Sequence, residues 1–216
     1  VSFLVVGEDG NPLERTYEAE HLVMPPGKRF EVLVDFAEPG QFDFKTLDYD
    51  QGGDHYPEVE LALVVVSGDS VEGIEPLAPG ESLAPASDLL ERPIAERRTW
   101  TFSEDDATSN FYINGKSFDE DRVDVSPRLG TVEEWTLENV TTEQHPFHIH
   151  VNDFKVIEID GQPYDAPGEQ DTVILDPRKP VVVRIPFDDF LGKFVFHCHI
   201  LNHEDNGMMG LVEVVE

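Results

Sequence analysis

The alternation of apolar and polar side chains along the chain predicts short β-strands almost throughout. Residues 29–36 alternate cleanly, which is typical of a strand with one buried face. Residues 59–66 are apolar except for Glu60, and we expect this strand to be buried on both faces towards its end. Turn clusters such as residues 8–12 separate these runs. Many short strands with Gly and Pro turns between them indicate an all-β protein, an antiparallel sandwich or barrel.

The strand pattern is interrupted over residues 70–96, which are rich in Pro, Ala and Ser and lack sustained periodicity. We interpret this segment as an interdomain linker that crosses a surface, with one short helical turn near residues 88–91. The predicted domains are therefore residues 1–69 and residues 97–216. The strands predicted in the second domain are 99–103, 111–113, 130–138, 148–159, 172–175, 181–185, 194–198 and 210–215.

Composition and charge exclude two classes of partner. Hydrophobic residues make up 39% of the 216, enough for a core, and no apolar run approaches the roughly 18 residues of a membrane span. Against 45 acidic residues stand 15 basic ones, and the formal net charge of −30 repels nucleic acid and anionic membrane surfaces. The acidic residues are dispersed along the chain, as in proteins that stay soluble in concentrated salt. The alternatives are an acidic surface of no special meaning and one suited to cationic substrates.

Six of the eight histidines fall into two clusters with strand-like spacing. The clusters contain His145, His148 and His150, and then His197, Cys198, His199, His203 and Met208. Because side chains alternate between the faces of a strand, His148 and His150 share one face, and Phe147 and Ile149 point into the core. The aromatic side chains that we expect in the core are Trp135, Phe147, Phe154 and Phe196.

The second cluster can serve two metal centres at once, because His197 and His199 share a face and Cys198, the only cysteine, points to the other. His145 lies beyond a proline that can aim it away from His148, and His203 and Met208 can fold back over the sulfur. Two imidazoles, a thiolate and a weak axial thioether are the ligand set of a blue-copper site. Imidazole with thiolate also suits zinc. The Met at loop distance and the second, all-histidine face favour copper, while we expect Met209 to serve packing.

These two motifs, HPFHIH at 145–150 and HCHILNHEDNGM at 197–208, resemble the carboxy-terminal copper motifs of the multicopper oxidases, the laccase and bilirubin-oxidase family. The resemblance extends to residues 130–135, 171–173 and 192–194 and covers residues 97–216. Residues 24–30 and the strand after them resemble the second half of the family's middle cupredoxin domain. The resemblance implies cupredoxin-like Greek-key β-sandwiches, partial in the first predicted domain and complete in the second.

The resemblance also implies a role for each ligand. The type 1 copper would be bound by His145, Cys198, His203 and Met208, the type 2 copper by His148, and the type 3 pair by His150, His197 and His199. Electrons would pass from Cys198 through the backbone to His197 and His199, which makes these three residues catalytic. Glu204, directly after a ligand, can deliver the protons that oxygen reduction consumes. Its alternative reading is a solvated or hydrogen-bonded loop acid.

The implied function is the one-electron oxidation of phenols, aromatic amines or metal ions, coupled to the four-electron reduction of dioxygen to water. The implied partners are thus a small-molecule or metal-ion reductant and dioxygen. One alternative is a blue-copper electron-transfer module without oxygen chemistry, which leaves the four other histidines without a purpose. A second alternative is a relative that has lost its metals, against which the intact ligand set argues.

The family's oxygen cluster needs eight histidines, and four of them come from two HxH motifs on an amino-terminal domain. The chain contains only four cluster ligands and begins without Met, so we do not expect its start to be the start of the gene. We expect an amino-terminal fragment of the same precursor as its partner, so that the complete enzyme holds four coppers. The expected localisation is secreted or at the cell envelope, in a high-salt environment.

Overall fold

The structure is a computed structural model that describes residues 1–69, 73, 77–105 and 107–216. Its regular elements are almost all strands, so the predicted all-β class is confirmed. The strands are β1 (Phe3–Glu8), β2 (Asn11–Ala19), β3 (Phe30–Leu33), β4 (Gly40–Thr46), β5 (Tyr49–Asp50), β6 (His55–Tyr56), β7 (Val59–Val66), β8 (Ile94–Asp105), β9 (Asn110–Ile113), β10 (Thr131–Asn139), β11 (His145–Ile149), β12 (Lys155–Ile159), β13 (Gln162–Pro163), β14 (Thr172–Leu175), β15 (Val181–Phe187), β16 (Gly192–Cys198) and β17 (Met209–Val214). One α-helix, α1 (Leu201–Asp205), and one 3-10 turn, Asp88–Leu90, are the helical elements of the described residues. None of the described helices is long and apolar enough to cross a membrane.

Residues 94–216, the second module, form a β-sandwich of two sheets. A six-stranded sheet has the order β13-β12-β15-β10-β8-β9, and a four-stranded sheet has the order β14-β11-β16-β17. Their apolar faces pack together, with the ring centroids of Trp135 and Phe196 separated by 5.3 Å and those of Phe102 and Phe147 by 6.2 Å. Trp135, Phe147, Phe154 and Phe196 are all 0% exposed, which confirms the predicted aromatic core.

The strands of the second module pair antiparallel as predicted, with one exception. β8 and β10 are parallel neighbours, from Ile94 opposite Val132 to Phe102 opposite Asn139. A parallel pair needs a long crossover between its strands, and the long connection through β9 and residues 114–130 provides it.

The strand predicted at residues 148–159 is two strands. β11 ends at Ile149 and β12 begins at Lys155. Val151 between them has a φ of 56°, in the left-handed region that breaks an extended chain. The chain thereby passes from the four-stranded sheet to the six-stranded one, and His150 lies exposed at the point of crossing.

Residues 1–69, the first module, form smaller sheets, one in the order β2-β1-β3 and two strand pairs, β4-β7 and β5-β6. The expectation that β7 is buried towards its end is wrong. Leu63 and Val65 are 48% and 61% exposed. The reason is that β7 pairs only with β4 and that, within the described residues, no second layer covers their apolar side chains.

The described part of the predicted linker lies along β2. The backbone N–H of Thr16 donates to the carbonyl of Glu81 at 2.9 Å, and that of Leu83 donates to the carbonyl of Leu13 at 2.9 Å. The predicted helical turn near residues 88–91 is confirmed by the 3-10 turn. Residues 70–72 and 74–76 of the predicted linker lie outside the described residues, and β8 begins before the predicted domain start at Arg97.

Candidate metal centres

Two neighbouring strands carry four of the eight candidate ligands. β11 pairs antiparallel with β16, with Phe147 opposite Cys198 and His148 opposite His197. Directly opposed residues point to the same side of a sheet, so this register turns Phe147 and Cys198 into the core and the two histidines to the other face. The adjacent residues His197 and Cys198 therefore present possible metal ligands on opposite faces of the sheet.

On the core face, Cys198 meets two imidazoles. Its Sγ lies 3.7 Å from Nδ1 of His145 and 3.6 Å from Nδ1 of His203, and the two nitrogens are 3.1 Å apart. His203 belongs to α1, which follows β16 directly. His145 lies within β11, so strand alternation with Phe147 aims it at the core, and the expected redirection by the proline is not needed. We call His145, Cys198 and His203 the thiolate cluster.

Both imidazoles of the thiolate cluster hold their outer nitrogen on a polar side chain. His145 Nε2 lies 2.9 Å from the Thr141 hydroxyl, and His203 Nε2 lies 3.2 Å from a carboxylate oxygen of Glu143. Phe111 stacks on the His203 ring at a centroid distance of 4.1 Å. These contacts fix the ring orientations and leave both Nδ1 atoms facing the sulfur, as in sites where a histidine binds a metal.

Burial sets the protonation of the thiolate cluster. Burial, and then the neighbouring His203, lowers the pKa of His145 to about 3. Burial raises the pKa of the Cys198 thiol to about 12. A metal ion that binds here finds unprotonated imidazole nitrogens and has to displace only the thiol proton. Two nitrogens and one sulfur suit a copper ion, which agrees with the donor set read from the sequence.

Met208 lies next to the thiolate cluster with its side chain in the core. Its carbonyl accepts from the backbone N–H of Cys198 at 3.0 Å, and its own N–H donates to the carbonyl of His203 at 2.9 Å. The loop after α1 thus returns Met208 to the cysteine, as its spacing predicts. Met209 is half-buried and lines a small cavity with Trp100 and Phe196, in keeping with a packing role.

On the opposite face, the structure brings together all four remaining candidate ligands. The histidine cluster consists of His148, His150, His197 and His199. Neighbouring ring centroids in it lie between 4.9 and 5.3 Å apart. The Nε2 atoms of His150 and His197 approach to 3.1 Å, so these two imidazoles point at a common centre.

Two members of the histidine cluster hold Nδ1 on acceptors. His148 Nδ1 lies 3.0 Å from the carbonyl of Asp171 and 3.0 Å from the Thr172 hydroxyl. His197 Nδ1 lies 3.0 Å from the carbonyl of Cys198 and 3.1 Å from a carboxylate oxygen of Glu204. Burial lowers the pKa of His197 to about 4, so its Nε2 is free to bind an ion at neutral pH.

Several of these supporting residues were missed from the sequence. Thr141 and Glu143 stand just before His145, and that proximity was the only available signal. No signal in the sequence pointed to Phe111, since Phe111 contacts His203 from a strand that is distant along the chain. Glu143 and Glu104 also lie near His145, and the three side chains form a further possible donor group that overlaps the thiolate cluster at His145.

The chain resembles known copper proteins in sequence. A family model of multicopper oxidases matches residues 90–216. A laccase of Haloferax volcanii is 33% identical over 208 residues, which cover 92% of this chain and 35% of that protein. A bilirubin oxidase of Albifimbria verrucaria is 32% identical over 231 residues, covering 96% and 38% of the two chains. This chain spans less than half the length of these curated relatives.

Solved structures show the same fold. The multicopper oxidase from Campylobacter jejuni, described as a metallo-oxidase, matches with a TM-score of 0.83 and 32% identity over 100% of this chain and 49% of that one. McoA from Aquifex aeolicus matches with a TM-score of 0.84 and 25% identity over 100% of this chain and 50% of that one. The predicted cupredoxin-like fold is confirmed by these matches.

Proposed function

Because the chain belongs to the multicopper oxidase family, we propose that it is the carboxy-terminal part of an enzyme that oxidises a reducing substrate with dioxygen. The observation that carries the proposal is the position of Cys198 in the thiolate cluster while both of its neighbours, His197 and His199, lie in the histidine cluster. When bound, copper would supply the redox chemistry, taking electrons one at a time from the substrate and passing four to dioxygen, which becomes water.

The donor atoms support one assignment of the ligands. The thiolate cluster offers two nitrogens and a sulfur within 4.8 Å of one another, and together with Met208 it would hold the type 1 copper. His148 would bind the type 2 copper, and His150, His197 and His199 would bind the type 3 pair. Thiolate and imidazole alone would also suit zinc, but the additional thioether of Met208 and the adjacent histidine cluster favour copper.

The two clusters are joined by the backbone of Cys198. A single peptide bond leads to His197 on one side and to His199 on the other. The His197 ring also donates its Nδ1 proton to the Cys198 carbonyl at 3.0 Å, which adds a hydrogen-bonded link beside the covalent one. Electrons received at Cys198 would therefore reach the histidine cluster through the backbone at the buried end of β16.

We assign Glu204 two tasks in this scheme. Its carboxylate accepts from His197 Nδ1 at 3.1 Å and so holds that ring in position. With 24% of its side chain exposed, it also connects the ring with solvent. A carboxyl group in this position can deliver the protons that oxygen reduction consumes.

The proposed enzyme includes a second part that completes the histidine cluster. The family's cluster uses four more imidazoles, and we place them in two HxH motifs on an amino-terminal part of the same precursor. Two observations support this: the chain covers 35% and 38% of two curated relatives, and the strand pair β4-β7 exposes apolar side chains such as Leu63. A sheet edge and apolar face of this kind are stable when another segment covers them.

The reductant is proposed from the relatives. They are named as laccases, a bilirubin oxidase and a metallo-oxidase, which keeps phenols, aromatic amines and metal ions as candidates. Dioxygen is the proposed oxidant. We further propose a secreted or cell-envelope protein, and the large negative charge, dispersed along the chain, supports a high-salt environment.

Replacing the thiolate tests the proposed function. In the complete enzyme, Cys198→Ser should remove both the intense visible absorption and substrate-dependent oxygen uptake, because Cys198 is the only cysteine of this chain. Absorption spectroscopy and an oxygen electrode measure the two effects. Blue colour that survives the substitution would contradict the assignment. A wild-type protein that is blue but takes up no oxygen would instead be an electron-transfer module.

A further inference from the structure

The turn between β1 and β2 reaches across to the second module. Asp9 and Gly10 form this two-residue turn with φ values of 52° and 89°, which an Asp-Gly pair adopts readily. The Asp9 side chain is 0% exposed, and its Oδ2 accepts from the backbone N–H groups of Asp171 and Thr172, each at 3.1 Å. A carboxylate of the first module therefore fixes the backbone next to His148.

The charge of Asp9 is balanced by a buried cation. Lys28 Nζ lies 3.0 Å from Asp9 and 2.8 Å from Glu8, and it donates to the Gln170 side chain at 2.6 Å. A buried carboxylate is stable only when it is paired and hydrogen-bonded. Lys28 meets that need and adds another contact between the modules.

Arg29, next to Lys28 in the loop between β2 and β3, contacts the carboxylate of Asp171. Its guanidinium binds both carboxylate oxygens, at 3.2 and 2.8 Å, and this fork fixes the plane of the carboxylate. The Thr172 hydroxyl also donates to this carboxylate at 2.7 Å, so Asp171 is held in place by donors from both modules.

The surroundings of His148 Nδ1 determine the tautomer of that ring. Nδ1 faces the Asp171 carbonyl at 3.0 Å, the Thr172 hydroxyl oxygen at 3.0 Å and an Asp171 carboxylate oxygen at 3.3 Å. The Thr172 hydroxyl already donates its proton to Asp171 at 2.7 Å, so it can only accept from His148. All three neighbours are acceptors, which places the proton on Nδ1 and leaves Nε2 free.

We propose that Asp171 and Arg29 are positioning residues for His148. Asp171 sets the tautomer and the plane of the ring, and Arg29, from the first module, holds Asp171. This inference rests on the proposed function, because it concerns how His148 presents Nε2 to the type 2 copper. The same loop also supports His199, since a Cβ on Gly27 would lie 2.5 Å from that ring. The geometry of the histidine cluster thus depends on how the first module packs against it.

The test replaces the carboxylate and the guanidinium in the complete copper-loaded enzyme. Asp171→Asn should weaken type 2 copper binding by about 10- to 100-fold, the usual cost of removing a partner of a ligating histidine. Arg29→Gln should give a smaller loss in the same direction. Arg29 is 49% exposed, so this substitution leaves the core intact. Copper content, the hyperfine splitting of the type 2 signal in electron paramagnetic resonance and the type 1 absorption are measured, and only the type 1 absorption should stay unchanged.

Arg15→Gln is the matched control. Arg15 donates to the Asp165 side chain at 2.6 Å and to the Asp165 carbonyl at 3.1 Å across the same two modules, and neither hydrogen bond involves a residue of the histidine cluster. Its replacement should leave the type 2 signal and copper content as in the wild type. Wild-type copper content and spectrum in Arg29→Gln would overturn the inference, as would an equal loss in Arg15→Gln. A wild-type enzyme without type 2 copper would instead contradict the proposed function on which the inference rests.

Discussion

At the scale of single residues, each cluster is organised by where its imidazoles place their second nitrogen. His145 holds it on Thr141, His203 on Glu143, His148 on Asp171 and Thr172, and His197 on Glu204 and its own neighbour's carbonyl. A buried imidazole N–H without such a partner would cost about 1–3 kcal/mol. These hydrogen bonds also decide which ring nitrogen of each histidine remains free to bind a metal ion. The supporting contacts therefore define the nitrogen donors of both clusters.

The axial donor of the thiolate cluster can be tested with two neighbouring methionines. We expect Met208→Leu to retain the copper but to raise its reduction potential, because the axial thioether stabilises the oxidised ion. Met209→Leu is the control, since Met209 lines a cavity with Trp100 and should leave the potential unchanged. Redox titration of the blue absorption band measures both. A shift in Met209→Leu and none in Met208→Leu would reassign the ligand.

At the scale of elements, the pairing of β11 with β16 determines the site. A register slip by one residue would turn Cys198 out of the core and His197 into it. The short connection from β16 into α1 then brings His203 back to the sulfur, and the chain returns at Met208, directly before β17 begins at Met209. β16, α1 and the turn before β17 thus place Cys198, His203 and Met208 without a long loop, and β11 contributes His145.

Alternation along β11 and β16 was enough to predict which ligands share a face, because that property is local to a strand. The end of β11 at Ile149 was not predictable in this way, since the left-handed Val151 depends on the chain changing sheets. The contacts that hold His148 in place were equally unpredictable from the sequence. Asp9 and Asp171 are 162 residues apart in the chain and meet only through module packing. The sequence marked Asp9 simply as part of a turn.

At the scale of the whole molecule, the net charge of −30 makes a prediction about salt. If the dispersed acidic residues are an adaptation to high salt, the melting temperature of the complete enzyme should rise from low to molar sodium chloride. The physical reason is screening, since the Debye length falls to about 3 Å at 1 M. Sodium perchlorate or another weakly coordinating salt is the control for chloride binding to copper. A melting temperature that does not change with salt concentration would contradict a role of the acidic surface in adaptation to high salt.

The whole molecule also shows an asymmetry between its modules. The second module closes a sandwich around its own aromatic core, whereas the first leaves β7 side chains such as Val65 61% exposed. The histidine cluster lies beside the loop of Gly27, where the two modules meet. Covering the first module and completing the histidine cluster are thus two tasks for one proposed amino-terminal part.

Counting copper in the purified, active enzyme tests the central claim most directly. We predict four coppers per complete molecule, with separate type 1 and type 2 signals in electron paramagnetic resonance and a coupled, silent pair. Denaturing gel electrophoresis and mass spectrometry of the same sample should show an amino-terminal part with two HxH motifs. A single copper per molecule would contradict the assignment of the histidine cluster. Four coppers and full activity in a sample of these 216 residues alone would contradict the proposed second part.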